Sequence, residues 1–486
     1  MRYPLALSIV LLALLEAFSP AQKVSGVHAS LPFDDWFLVD LNGDGQKDVF
    51  LLSRLADGRL RADVALQGKD GQFAPPESGT LPGATAFVEG NFGKHQRIVA
   101  VFPRSFRPLR WSDAKGLTAA DPVWPFESFL TATPTDLPGF WHWSTDFDGD
   151  GLDDFMFPAE QALELWFGRP AGGFSAPTTL SLPDERQVLP SSDGGFVDSH
   201  REPHPLFRDI DGDGRYDLCW FDERGLGYRL QTRPRVFAPT HMLPLPWLAG
   251  EGDGNLLENT SIRLEDLNGD QRADLVLIKM RSARGGIADM RSNLVILLSR
   301  GGSEPFPLKP TVALRLKGIV GVGPYFEDLN GDGRKDLAYG LYGAGLGDAV
   351  ARFLGRVPVR LAVHLARNNG PKLFDGAPDL SLERSVDTKD FERWAARNSL
   401  FLGDDLTGDG IVDLIEIRRS SKNRHRWKLF PGSLDPKGRL GISKEASMTG
   451  EVEDLVDASV RALRKGGHQH LILVSKQDIQ IIACSP

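Results

Sequence analysis

Cysteine is nearly absent from this 486-residue chain, which holds only Cys219 and Cys484. That excludes a fold framed by several disulfides and a Cys-rich zinc module. Cys219 falls among the core positions of an expected strand and reads as a buried free thiol rather than half of a bridge to Cys484. Catalytic signatures are missing too. There is no Gly-x-Ser-x-Gly, no His-Glu-x-x-His and no clustered Cys/His set. Excess basic charge is lacking: 56 Lys and Arg face 65 Asp and Glu, for a net charge of −9. With no basic stripe along the sequence, a nucleic-acid partner is not expected. After residue 21 no apolar run is long enough to span a bilayer, so no transmembrane segment is expected in the mature chain.

What is plentiful is glycine and proline, 52 and 33 residues, which mark many turns between short strands. The turns follow a rule. One nine-residue phrase is written six times, with Asp at positions 1, 5 and 9, Asx or Thr at position 3 and Gly at position 4. The first copy holds Asp40, Asn42, Asp44 and Asp48, and the second Asp146, Asp148, Asp150 and Asp154. The third holds Asp209, Asp211, Asp213 and Asp217, and the fourth Asp266, Asn268, Asp270 and Asp274. The fifth holds Asp328, Asn330, Asp332 and Asp336, and the sixth Asp405, Thr407, Asp409 and Asp413.

Oxygen donors at positions 1, 3 and 5 beside a glycine suit Ca²⁺, a hard cation that takes roughly 6–8 oxygens, including a backbone carbonyl at position 7. An EF-hand puts its last carboxylate at position 12 between helices. Here it comes at position 9, between strands. Position 2 is always apolar (Leu41, Phe147, Ile210, Leu267, Leu329, Leu406), as is position 10 (Val49, Phe155, Leu218, Leu275, Leu337, Leu414). Each loop thus joins two strands whose ends are pinned in a core. Asp-Gly turns are common in hairpins, but a turn by itself does not require a carboxylate at position 9. Up to six Ca²⁺ are therefore expected, and six ions would carry the formal balance from −9 to +3.

Each loop is followed by the same order of alternating strands and Gly-rich turns, as in Arg61–Phe73 and Ala162–Phe174. One unit is four short strands, the content of a propeller blade. Loops begin at 40, 146, 209, 266, 328 and 405, so the first step is two units long. A blade without the carboxylates is expected there, at Val88–Val101 with its hairpin at Leu109–Leu117. A second degenerate unit, from Asp454 to Cys484, has three strands, and Gln22–Leu31 is expected to supply the fourth and close the ring. The expected fold is all-β: a single propeller over residues 22–486, with eight four-stranded blades, or seven if the last unit is not separate. An insertion is expected around 340–400, with short helices at Asp387–Asn398 and Asp348–Leu354.

Residues 1–21 read as a secretory signal. Arg2 supplies the positive start, Leu5–Leu15 is almost wholly apolar, and Ser19-Pro20-Ala21 places cleavage after Ala21, although Glu16 departs from the pattern. The mature protein is expected to be exported, to a periplasmic, cell-surface or extracellular setting.

At the loops the sequence resembles the FG-GAP/VCBS repeat family, which includes the propeller of integrin alpha chains, some fungal lectins and many secreted bacterial proteins. The resemblance implies Ca²⁺ binding at positions 1, 3, 5 and 9 of each loop. Two loops depart from the pattern. Gln271 stands where Gly is expected at position 6, and Thr407 replaces Asx at position 3, so these two sites are expected to be the weakest. The reading that follows is a secreted Ca²⁺-binding scaffold of adhesion type, with an unidentified protein or glycan partner and no evident catalytic site. The alternative is a carbohydrate-active protein on the same propeller, a polysaccharide lyase-like enzyme or a lectin. His468 and His470 on one strand face, and Trp36, Trp141 and Trp143 on inner strands, are the residues that alternative would use. Surface placement of the histidines and packing of the tryptophans between blades are the plainer readings.

Overall fold

The computed structural model describes residues 23–484 except 31, 57–59, 82–83, 85, 94–97, 113–115, 127–138, 142, 159–161, 183–184, 191–195, 202–204, 223, 246–259, 282–290, 343–354, 368–372, 388–399 and 464–466. The expected signal at 1–21, the expected helix at 348–354 and all but the first residue of the expected helix at Asp387–Asn398 lie outside the described residues; Asp387 itself ends a strand.

Among the described residues, eight sheets of four or more strands follow one another along the chain, beside three two-stranded ones. Blade I pairs Asp35–Val39, Asp48–Arg54, Leu60–Ala65 and Glu77–Leu81 in that order. Blade III pairs Ser144–Thr145, Asp154–Pro158, Leu163–Trp166 and Thr178–Leu180. Blade IV pairs Leu206–Arg208, Asp217–Asp222, Gly225–Arg229 and His241–Leu243. Blade V is Thr260–Glu265, Asp274–Arg281, Arg291–Leu297 and Val312–Lys317. Blade VI is Ile319–Glu327, Asp336–Tyr342, Arg356–His364 and Leu380–Asp387. Blade VII is Leu400–Asp404, Asp413–Arg419, Arg424–Phe430 and Met448–Glu453.

Blades II and VIII are the two without the acidic phrase. Blade II is built on Ala86–Glu89, Ile98–Phe102 and Ser105–Ser112, and both Gly116–Ala119 and Trp124–Pro125 pair with the last of these. Gly139–Trp141 adds to its inner edge, parallel to Ala86–Glu89, with Trp141 opposite Val88. This corrects the expectation that Trp141 belongs to blade III, whose first strand is only Ser144–Thr145. The Trp141 side chain lies outside the described residues. Blade VIII is Asp457–Ala462, Gln469–Val474 and Asp478–Ala483, completed by Lys23–His28 with Val27 opposite Ile479. The start and end of the described chain thus share one sheet, and the edge of Asp478–Ala483 that a three-stranded unit would expose is paired.

The burial pattern explains why the segments read as they do. Second strands lie between neighbouring blades and are buried on both faces, so Asp336–Tyr342 and Asp217–Asp222 are buried at every position. An outer strand such as Val312–Lys317 alternates buried and exposed residues. Two large tryptophans fit because glycine stands opposite them. Trp220 pairs with Gly227 and Trp427 with Gly450, and a Cβ on either glycine would fall 2.2 or 2.6 Å from the indole.

Eight hydrophobic clusters each join two consecutive blades. Phe50 and Phe87 join I to II, and Val88 and Phe155 join II to III. Leu165 and Trp220 join III to IV, and Cys219 and Leu277 join IV to V. Leu294 and Leu337 join V to VI, and Leu361 and Leu414 join VI to VII. Leu429 and Leu471 join VII to VIII, and Ile472 and Leu51 join VIII back to I. Eight blades with eight interfaces form a closed ring, an eight-bladed β-propeller. Each fully buried Leu or Phe stabilises by roughly 1.5–3 kcal/mol, so packing between blades is the dominant cohesion. Cys219 and Cys484 are both free and buried, in different interfaces.

Candidate metal centre

All six acidic loops connect the first and second strands of their blades, and therefore lie at one end of the ring. Their apolar anchors are buried as expected: Phe147, Ile210, Leu267, Leu329 and Leu406 are each at most 2% exposed. Leu41 is only partly buried, against the blade I–II cluster.

The six loops repeat one hydrogen-bond scheme. The position-1 carboxylate accepts the N–H of position 4 on one oxygen and that of position 6 on the other, as Asp209 does from Gly212 and Gly214, each at 2.7 Å. The position-3 oxygen accepts the N–H of position 5 in five loops, for example Asn330 from Asp332 at 3.0 Å. Thr407 makes no such bond; its own N–H donates to Asp413 instead. Positions 4 and 6 both need the left-handed backbone, and Gln271 adopts it at φ 67° beside Gly269 at 77°.

The position-9 aspartates are the most buried members of the loops, at 0–2% exposure. Each opens a second strand and accepts two backbone N–H groups, or three in the case of Asp413. For Asp154 these come from Phe147 and Gly168, both at 2.8 Å; for Asp217 they come from Ile210 at 2.9 Å and Gln231 at 2.8 Å. In the sequence, position 9 reads as having a metal-ligand role alone. The geometry gives it a second one, since it ties the loop to the end of the third strand whether or not an ion is present.

Burial pushes these carboxyls up, and neighbouring carboxylates add to the effect. Asp154 is raised to about 8, Asp217 and Asp274 to about 7, and Asp48 and Asp336 to about 6. A bound cation would favour the ionised forms. Among the described residues, carboxylate oxygens of Asp146, Asp148 and Asp154 lie within 4.8 Å of one another, and so do those of Asp209, Asp211 and Asp217. In the other four loops position 3 is Asn42, Asn268, Asn330 or Thr407, which brings an oxygen without a charge. This donor set, all oxygen and partly buried, fits Ca²⁺.

Nearby cations also touch the loops. Position-7 arginines pair with position-5 aspartates in three of them: Arg215 with Asp213, Arg272 with Asp270 and Arg334 with Asp332. Arg235, from the hairpin that follows the third strand of blade IV, reaches Asp148 in the blade III loop and stacks over Phe167 at 4.3 Å. Arg235 has φ 68°.

The loops also bond to one another. The N–H of position 8 donates to a main-chain carbonyl near the start of the preceding blade's loop: Tyr216 to Phe147 at 3.3 Å, Ala273 to Asp209 at 2.7 Å and Val412 to Leu329 at 3.0 Å. The degenerate blades join in, with Asp153 donating to Asn91 and Lys47 to Leu463. Ser299 Oγ and the Gln231 amide reinforce the same seam by donating to the carbonyls of Ile210 and Phe147.

The residues that a carbohydrate-active reading would use are dispersed. Trp36 and Trp143 are partly buried against inter-blade clusters. His468 precedes its strand and approaches Gly408 of the blade VII loop, while His470 lies within the strand; both line a small cleft of about 270 Å³. Sequence reasoning missed Glu327 and Asp404, which end the first strands of blades VI and VII. Burial raises both carboxyls, Asp404 to about 6 with Glu327's charge contributing. Their one sequence signal is a carboxylate directly before position 1.

Residues 146–220, which hold the loops of blades III and IV, match the family model of the FG-GAP-like repeat. The repeat that the loops resemble is thus present in that stretch, the same one that carries both three-carboxylate clusters. No curated protein matches the chain. Among solved structures, a lectin from Agrocybe aegerita that recognises non-reducing terminal N-acetylglucosamine is 16% identical, with 91% of this chain and 97% of that chain covered and a TM-score of 0.37. The PQQ domain of pyranose dehydrogenase from Coprinopsis cinerea is 11% identical, with 96% of each chain covered and a TM-score of 0.26. The eight-bladed layout rests on this chain's own strand pairing, not on these likenesses.

Proposed function

We propose that this chain is an exported, Ca²⁺-stabilised propeller that serves as an interaction scaffold for a protein or glycan partner. The observation that carries the metal part is the convergence of three carboxylates in the blade III loop and again in the blade IV loop, within a scheme that all six loops share. Asp146, Asp148, Asp150 and Asp154 would hold one ion and Asp209, Asp211, Asp213 and Asp217 another. The matching positions of the other four loops would hold weaker ones. The ion supplies charge neutralisation and cross-linking of the loop; the chain supplies a preformed turn and a buried anchor at position 9.

Extracellular Ca²⁺ modules typically bind at roughly 10⁻⁴–10⁻³ M. At about 1 mM free ion each filled site then adds about 0.4–1.4 kcal/mol, so six sites together are worth as much as a sizeable share of a domain's net stability. Export to a Ca²⁺-rich compartment would make this stabilisation constitutive. The test is the thermal midpoint of chelated mature protein titrated with Ca²⁺ and, separately, with Mg²⁺. A large rise with Ca²⁺ and little with Mg²⁺ is expected. An unchanged midpoint at millimolar Ca²⁺ would reduce the loops to turns and remove the metal from the reading.

A further inference from the structure

A cleft of about 1090 Å³ lies against the strands of blades VI and VII and the outer edge of blade V, and its lining contradicts the acidity of the whole chain. Nine of its described lining residues are Lys or Arg, and two are Glu. Four of them sit at strand ends away from the acidic loops: Lys317 ends blade V, Arg356 begins the third strand of blade VI, and Arg418 and Arg419 end the second strand of blade VII.

Part of this charge is compensated internally. Arg384 and Arg418 both bond the buried Glu416, at 2.5 and 2.9 Å, and Arg360 lies 3.7 Å from Glu383. Arg426 pairs with Glu451. Four other cations in the cleft, Lys317, Arg356, Lys428 and Lys444, make no ion pair with any described residue, and all four are exposed. The strand register adds to the excess by placing Arg418 directly opposite Arg426. Like charges in that position destabilise a sheet, and a bound anion relieves the repulsion.

We propose that this cleft binds an acidic polysaccharide, a chain of sugars bearing carboxylate or sulfate groups. Three features select that class. Guanidinium forks match the geometry of carboxylate and sulfate oxygens. The cations extend over three blades, so a ligand must carry repeated charges to meet them. The described lining residues also offer no free aromatic face, because the one aromatic among them, Phe430, is 9% exposed with the Arg384 guanidinium over its ring at 5.9 Å. Single-stranded nucleic acid draws much of its affinity from base stacking on such faces. The proposal does not depend on the metal reading, because the cleft shares no residue with the acidic loops.

The experiment measures binding of the full mature chain, in Ca²⁺ buffer and at about 50 mM salt where exposed charges are weakly screened, to three probes: polygalacturonate, dextran sulfate and single-stranded DNA. The variant is the double substitution Arg356→Ala with Lys428→Ala. Both side chains are exposed and without ion-pair partners, so an unchanged thermal midpoint is expected and is checked first. A second variant, Arg439→Ala, removes an exposed arginine outside the cleft that pairs with Asp435. At least one polysaccharide is expected to bind, with affinity falling roughly tenfold or more in the double variant and unchanged in Arg439→Ala. Which polymer binds identifies the acidic group. No binding of either polysaccharide, equal loss in both variants, or tighter binding of DNA than of both polysaccharides would overturn the proposal.

Discussion

Arg235 Nε stands 2.8 Å from Asp148 Oδ2, across the boundary between blades IV and III. The guanidinium occupies a share of the charge at position 3 that an ion would otherwise use. Replacing it with Gln should lower the midpoint of the chelated protein, by about 1–2 kcal/mol, since Asp148 is left buried without its partner. The same variant should gain more from Ca²⁺ than the parent does, because the competing cation is gone. Parallel melts with chelator and with Ca²⁺ measure both effects. A variant equally weakened in the two buffers would show that Arg235 has no bearing on the ion.

Positions 3 and 9 of one loop should separate folding from metal binding. In Asp217→Asn, an amide N–H₂ replaces one of two oxygens that accept buried backbone N–H groups. A loss of about 1–3 kcal/mol is expected even in chelated protein. In Asp211→Asn, the new side chain keeps the oxygen that accepts the N–H of position 5, as Asn42, Asn268 and Asn330 do in their loops. Its chelated stability should stay within about 0.5 kcal/mol of the parent, while its Ca²⁺ response shrinks. Urea titrations with and without Ca²⁺ read out both.

The metal-free protein should lose stability as pH rises. Burial raises all six of its position-9 carboxyls above the ordinary aspartate value, five of them to between about 6 and about 8. A group whose folded pKa is raised contributes stability that is complete below the unfolded value and is lost as pH passes the folded one. The chelated midpoint is therefore expected to fall from about pH 5 to about pH 8.5. Saturating Ca²⁺, which favours the ionised forms, should flatten or reverse that slope. A chelated profile level across this range would mean that these carboxyls are already ionised in the fold.

Gln271→Gly should stabilise by up to about 1 kcal/mol, because a side chain at φ 67° is strained whereas glycine is not. At the equivalent Gly45, Gly151, Gly214, Gly333 and Gly410, an added Cβ would meet nothing within 4 Å. The penalty at 271 is thus one of backbone conformation rather than of crowding. A melt of the single variant decides it, and a fall in midpoint would show that the Gln271 side chain contributes more than its backbone costs.

The repeat made the blades legible in the sequence. The period of about sixty residues, set by Asp at positions 1, 5 and 9, located even the two blades that lack the phrase, and the three strands of the last unit implied a fourth from the other end of the chain. The positive φ at Gln271 was legible as well, because five glycines at the same position announced it. Other features were hidden by distance along the chain. Arg235 and Asp148 are 87 positions apart, with no local pattern joining them. The basic cleft draws its residues from 317 to 444, so a search for a run of cations passes over it. Gly139–Trp141 reads as the start of blade III because it precedes that blade's loop; only parallel pairing with Ala86–Glu89 assigns it to blade II. One N–H group on each position-9 aspartate comes from position 2 of its own loop, but the other comes from the end of the third strand, 14 to 30 positions on, and no spacing rule points to it.

Main-chain hydrogen bonds tie the loops of blades I, III, IV, V and VII each to the blade before it, and so link separate turns into arcs of a hoop. Phe147 carries a carbonyl held by blade IV and an N–H held by its own Asp154, so tightening one loop pulls on the next. Load applied at one of these loops is passed across a blade boundary instead of ending there. Filling the loops should accordingly resemble the drawing of a purse-string, with later ions entering sites that earlier ones have already set.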